Sequence, residues 1–143
     1  MIGKNDARPF TVVQIDHVVL RVADIGRALA FYRDALGLPV ERTVAELGLW
    51  QLRAGRSLID LVAIDGTLGR QGGAAPGRDG RNVDHLCLRI APFDRDRLAA
   101  HLAAHGIPAG DVARRYGADG FGPSLYVCDP DGNTVELKGP PEP

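Results

Sequence analysis

Only two cysteines, Cys87 and Cys128, occur in the 143 residues, far apart and without a Cys-x-x-Cys spacing. That excludes a disulfide framework and a cysteine-rich zinc site, and both are expected to be small apolar fillers. No apolar run approaches the roughly 20 residues of a membrane span, and the opening MIGKNDARPF lacks the apolar core of a secretory signal. A cytoplasmic location and no membrane partner are therefore expected. Neither sign of charge prevails: 17 Lys and Arg face 18 Asp and Glu, for a formal net charge of −1. The basic field that nucleic acid requires is missing, so a small molecule is the expected partner. With 45% hydrophobic residues, the chain builds one substantial core and is too short for two, which predicts a single domain over 1–143.

What the chain does have is a repeat of itself. Ile15-Asp16-His17-Val18-Val19-Leu20-Arg21-Val22-Ala23 returns as Val83-Asp84-His85-Leu86-Cys87-Leu88-Arg89-Ile90-Ala91, at a constant offset of 68. A helical stretch ending in Gly-aliphatic-Pro follows each copy, at Gly37-Leu38-Pro39 and Gly106-Ile107-Pro108, where the offset has grown by one. One structural unit is used twice.

The first helix is predicted over Asp24–Leu36, with Asp24 as N-cap and Ile25, Leu29, Tyr32 and Leu36 at helical spacing. The second runs from about Pro92 to His105, anchored by Phe93, Leu98 and Leu102. Strand candidates follow at Val40–Val44, Leu47–Arg53 and Ser57–Ile64, then at Asp111–Arg115, Ser124–Cys128 and Asn133–Lys138. Each half thus reads βαβββ, and the modules span 12–65 and 82–139. The Gly-rich stretch 66–81 joins them and is long enough to cover a site. Asp129-Pro130-Asp131-Gly132-Asn133 has the composition of a tight turn, and the ends, through Phe10 and from Gly139, read as tails.

Strand alternation then sorts the side chains. His17 shares a face with Ile15, Val19 and Arg21, opposite the aliphatic Val18, Leu20 and Val22 that a helix should cover. His85 sits with Cys87 and Arg89, opposite Leu86, Leu88 and Ile90. In the last strand of each half a carboxylate interrupts an apolar run: Asp60 between Ile59 and Leu61, and Glu136 between Val135 and Leu137. A lone strand histidine is usually a packing residue, but two histidines and two carboxylates at equivalent positions are hard to assign to packing. Pairing of the halves about a pseudo-twofold axis would bring His17, Asp60, His85 and Glu136 around one divalent ion: Zn, Ni, Co, Mn or Fe(II). The expected fold is α+β, with two βαβββ modules forming a metal-centred, partly open mixed β-sheet and helices on the outer face. Arg21 and Arg89, on the ligand-bearing face, are candidate substrate-binding residues. Tyr116 and Tyr126 are open as pocket residues, while His101 and His105 read as exposed or cap-adjacent, having no HExxH pattern.

The segments IDHVVLRVADIGRALAFYRDALGL, VDHLCLRI and DPDGNTVEL resemble the vicinal oxygen chelate superfamily, which contains glyoxalase I, extradiol dioxygenases, epimerases and fosfomycin- or bleomycin-resistance proteins. The resemblance covers about Val12 to Lys138. It implies metal ligation by His17, His85 and Glu136, and it places Asp60 where glyoxalase I carries a glutamate one methylene longer. Arg21 matches an arginine that contacts glutathione there. Small glyoxalase-domain proteins are the nearest likeness. The implied activity is a glyoxalase-type lyase or isomerase in which an enediolate forms at the metal and Glu136 moves the proton, on a substrate with adjacent oxygens such as a glutathione adduct. The alternatives are an Fe(II) extradiol-type dioxygenase using His17, His85 and Glu136, or a resistance or binding protein of the same fold. Modules in this superfamily pair within a chain or across a dimer, and a homodimer is expected.

Overall fold

The computed structural model describes residues 9–143, so most of the expected N-terminal tail lies outside the described residues. The first module contains β1 (His17–Val22), α1 (Ile25–Leu29), β2 (Val40–Val44), β3 (Leu49–Ala54) and β4 (Ser57–Ala63). The second contains β5 (His85–Arg89), α2 (Arg95–Ala104), β6 (Ala113–Gly117), β7 (Gly120–Cys128) and β8 (Thr134–Lys138). Both follow the predicted βαβββ order.

Each module closes a four-stranded mixed sheet, ordered β1-β4-β3-β2 in the first and β5-β8-β7-β6 in the second. β1 runs parallel to β4, and β5 parallel to β8, while the remaining pairs are antiparallel. Parallel neighbours cannot be joined by a tight turn, so the helix and two strands between them serve as the crossover. The expected sheet is thus resolved into two separate sheets, and β1 and β5 each lie at a sheet edge.

Local chemistry accounts for the helices. Asp24 accepts from the Arg27 N–H at 2.9 Å, and Asp94 accepts from the Arg97 N–H at 3.1 Å, so both helices start on an aspartate cap. After Leu29 the first helix widens into a π-helical turn over Ala30–Ala35, where the Leu36 N–H reaches back to the Phe31 carbonyl at 3.0 Å. The wider turn keeps Phe31, Tyr32 and Ala35 buried together. Both helices cover the aliphatic sheet faces, away from His17 and His85, and one core runs through both modules from Val22, Tyr32 and Leu61 to Leu102, Leu125 and Val135.

Strand limits shifted where turn chemistry intervened. β3 starts at Leu49 because Ala45–Leu47 makes a 3-10 turn closed by Gly48 in the left-handed region, at φ 66°. β6 and β7 extend to Gly117 and Gly120, which pair across a two-residue turn at Ala118-Asp119.

Polar bonds fix one module on the other. The Tyr32 hydroxyl donates to Asp129 Oδ2 at 2.6 Å in the interior, and the Ala23 N–H donates to Asp131 Oδ1 at 2.8 Å. Burial, then the Asp129 charge, pushes the Tyr32 phenol far above its ordinary range, so it stays a donor. His101 Nε2 lies 2.7 Å from the Ala35 carbonyl, which makes it an inter-module donor rather than a merely exposed residue. We expect Tyr32→Phe to lower unfolding free energy by about 1.5–3 kcal/mol, the usual loss for one hydrogen bond to a charged group. An unchanged midpoint in urea denaturation would remove Tyr32 from the module junction.

Candidate functional site

Parallel pairing places Val19 opposite Asp60 and Cys87 opposite Glu136. Residues two apart on a strand share a face, so His17 lies on the side of Asp60, and His85 on that of Glu136. Each module therefore presents one imidazole and one carboxylate on the face its helix leaves open.

In the first module Asp60 is only 3% exposed. Gln51, its neighbour on β3, donates from Nε2 to Asp60 Oδ2 at 3.1 Å, and Arg42 donates to Gln51 Oε1 at 2.9 Å. That relay fixes one carboxylate oxygen. The other, Oδ1, is buried with no hydrogen-bond partner among the described residues. His17 bonds through Nδ1 to Asp16 Oδ1 at 2.7 Å. The Asp16 contact raises its pKa against the opposing effect of desolvation, and the negative charges of Asp60 and Asp16 add to the rise.

The second module repeats the plan with a different outcome. His85 bonds through Nδ1 to Asp84 Oδ2 at 2.7 Å, and its Nε2 lies 3.2 Å from Glu136 Oε1. The Tyr126 ring meets His85 edge-on at 5.3 Å between centroids, and the Arg115 guanidinium lies 4.5 Å over Tyr126. Cys87 is exposed on this face, and Cys128 is exposed as well, so neither is the packed filler expected from sequence. Desolvation, with the Glu136 charge and a hydrogen bond to Glu136, pushes its thiol up to about 11.

These residues fit a divalent ion. A carboxylate that holds Nδ1–H leaves the Nε2 lone pair as the ligating one, and the same Asp-His device stands in both modules. The buried Asp60 Oδ1 is an acceptor without a donor, which a cation would satisfy. Two imidazole nitrogens and two carboxylates match the donor preferences of Zn, Ni, Co, Mn or Fe(II). Within one chain, however, the four do not gather: no group of three or more His, Cys, Asp or Glu that could hold a metal occurs among the described residues.

A cavity of about 1060 Å³ runs between the modules and reaches both His17 and His85, with Val18, Leu36, Leu88 and His101 among its walls. Arg21 is already engaged. Its Nε donates to the Gly69 carbonyl at 3.0 Å, and its terminal nitrogens donate to Gly73 at 2.7 Å and Ala74 at 3.0 Å. It thereby holds the segment joining the modules, while Arg81 anchors the far end on the Gly132 carbonyl. Arg89 is paired with Asp119. Tyr116 stands 73% exposed beside Phe121, away from the histidines. Asp16 and Asp84 were missed as functional residues although both precede the repeated histidine; Arg42 and Gln51 carried no sequence signal.

The sequence model of the Glyoxalase/Bleomycin resistance protein/Dioxygenase superfamily matches residues 14–137. Among solved structures, a virulence protein of Salmonella typhimurium is 25% identical with a TM-score of 0.71, covering 91% of this chain and 98% of that one. An integron cassette protein from the mobile metagenome of V. cholerae is 26% identical with a TM-score of 0.68, covering 91% and 97%. A lactoylglutathione lyase from Agrobacterium tumefaciens is 25% identical with a TM-score of 0.64, covering 90% and 95%.

Two outcomes follow from the site geometry. Arg21→Ala should speed amide hydrogen exchange across 69–74 by about tenfold or more, as freed loop backbone opens locally; unaltered exchange there would show that the three carbonyl contacts do not restrain the segment. In metal-free protein at pH 8, Cys87 should react with iodoacetamide about a hundredfold more slowly than a free cysteine, because its thiolate fraction is correspondingly small. Mass-mapped labelling at the free-cysteine rate would contradict the desolvation of this thiol beside Glu136.

Proposed function

The chain belongs to the Glyoxalase/Bleomycin resistance protein/Dioxygenase superfamily, and on that premise we propose that it is a divalent-metal-dependent glyoxalase-type lyase or isomerase whose site is completed between two copies of the chain. The observation that carries this reading is the orphaned Asp60 Oδ1 on the same face as a histidine whose Nδ1 is already committed to Asp16. Proteins of the superfamily typically use a divalent metal, and the lactoylglutathione lyase likeness favours proton transfer as the chemistry.

His17 and Asp60 from one copy, with His85 and Glu136 from the other, are the ligands in this reading. The pairing is supported by the edge positions of β1 and β5 and by the exposed Ile15 and Val83 just before them and Val19 on β1. A bound divalent ion supplies Lewis acidity to adjacent substrate oxygens. Glu136, 6% exposed, takes the proton from the substrate carbon and returns it to the neighbouring one. Cys87 remains a thiol, held protonated by burial and the Glu136 charge, so it does not compete as a nucleophile. Asp16 and Asp84 hold the imidazoles in one tautomer. The restrained segment 66–81 closes one side of the open face, and a glutathione adduct is the first substrate to assay.

An iron-dependent ring cleavage would need only two histidines and one carboxylate. It leaves the Asp60 oxygen without a role, which is why the four-ligand reading is preferred.

The test combines metal content with subunit mixing. Purified protein should hold about one ion per chain and turn over the methylglyoxal–glutathione adduct after reconstitution, whereas His17→Ala and His85→Ala should each lose both properties. Refolded together, the two variants should recover about one quarter of the wild-type sites, since half of randomly formed dimers are mixed and each has one intact site of two. No recovery would place all four ligands in one chain. Full metal content in both single variants would end the reading altogether.

A further inference from the structure

One charged side chain on the same face has no role in that chemistry. Lys138 follows Glu136 by two residues on β8 and shares its side of the sheet, between Arg89 on β5 and Ser124 on β7. The residue is only 4% exposed, and its Nζ is buried with no hydrogen-bond partner among the described residues. Its stem lies across two glycines. A Cβ at Gly117 would come within 2.7 Å of the Lys138 Cε, and one at Gly122 within 2.6 Å of the Pro140 carbonyl oxygen and 3.0 Å of Nζ. The β6–β7 hairpin thus lacks side chains where the ammonium needs room.

Neither neighbouring carboxylate bonds the ammonium: Asp119 pairs with Arg89, and Glu136, whose Oε1 lies 3.2 Å from His85 Nε2, accepts nothing from Lys138 Nζ. Arg115, on the same face, donates to the Ser124 carbonyl at 2.8 Å and to its hydroxyl at 2.9 Å. Among the described residues, the face therefore carries Lys138 and Arg115 with no carboxylate paired to either. A buried ammonium without an acceptor is costly enough that it normally implies a counter-ion.

We propose that Lys138, supported by Arg115, receives an anionic group of the substrate, so that the preferred substrates are small acids with adjacent oxygens at one end and a carboxylate at the other. The position of the first end rests on the metal reading above; the Lys138 end rests on the orphaned ammonium alone. Two residues along a strand span about 7 Å, short enough for one small molecule to reach both ends. The flexible four-carbon stem lets the ammonium turn from the glycine floor to meet an anion on the open face.

Two probes with the same 2-oxo acid end separate these contributions: 2-oxoglutarate, which has a distal carboxylate, and 2-oxopentanoate, which does not. Calorimetry on wild-type protein, both metal-free and zinc-loaded, should show 2-oxoglutarate binding at least about tenfold more tightly. Lys138→Met should reduce that preference to about twofold or less with zinc stoichiometry unchanged, and Lys138→Arg should restore part of it. Equal binding of the two probes by wild-type protein would overturn the proposal, and so would a preference that survives in Lys138→Met. The wild-type comparison decides even if the methionine variant fails to fold. Absence of zinc binding with the preference intact would count against the metal site alone.

Discussion

Everything at the open face depends on the parallel pairing of the first and last strands in each module. β1 beside β4, and β5 beside β8, put the repeated histidine diagonally across from a carboxylate on the neighbouring strand that is distant in sequence. The pairing is possible only because a helix and a hairpin intervene, and the helix in turn has somewhere to lie because the opposite strand faces are aliphatic. Val22, Leu61, Val135 and Leu137 are at most 1% exposed, so the apolar side holds the ladder in register while the polar side is left free for chemistry.

The two copies have diverged in how they satisfy their polar groups. In the second module the histidine and carboxylate lie against each other, at 3.2 Å. In the first, one oxygen of the carboxylate is fixed by the Arg42–Gln51 relay and the other is left bare. The shorter aspartate side chain is compatible with ligation here because Gln51 orients it rather than leaving it to rotate. Anchoring of the imidazole by the preceding aspartate is the feature that both modules keep.

Much of this was legible in the sequence. The repeat gave the order of elements, and alternation put each histidine on the same face as the carboxylate of its module because a period of two survives any uncertainty in strand ends. Two kinds of feature escaped. Side chains that act through partners distant in sequence, such as Gln51 on Asp60 or Tyr32 on Asp129, leave no periodic trace. Arg21 was placed on the correct face, but its contacts with the Gly69, Gly73 and Ala74 carbonyls depend on the path of an aperiodic loop. Whether the two halves of the site meet is a question of module pairing, which strand parity does not address.

Strand parity also governs how such a chain tolerates changes in length. The offset between copies is 68 at the histidines, 69 at the glycines that end the helices, and 76 between Asp60 and Glu136. The added residues have accumulated after the histidine strands, and both carboxylates still face the same way. A single-residue insertion within β8 would swing Glu136 into the core and Val135 or Leu137 into solvent, whereas the same insertion in a turn is absorbed by the neighbouring loop. Drift in this lineage is therefore expected to appear as loops of unequal length joining strands of constant phase.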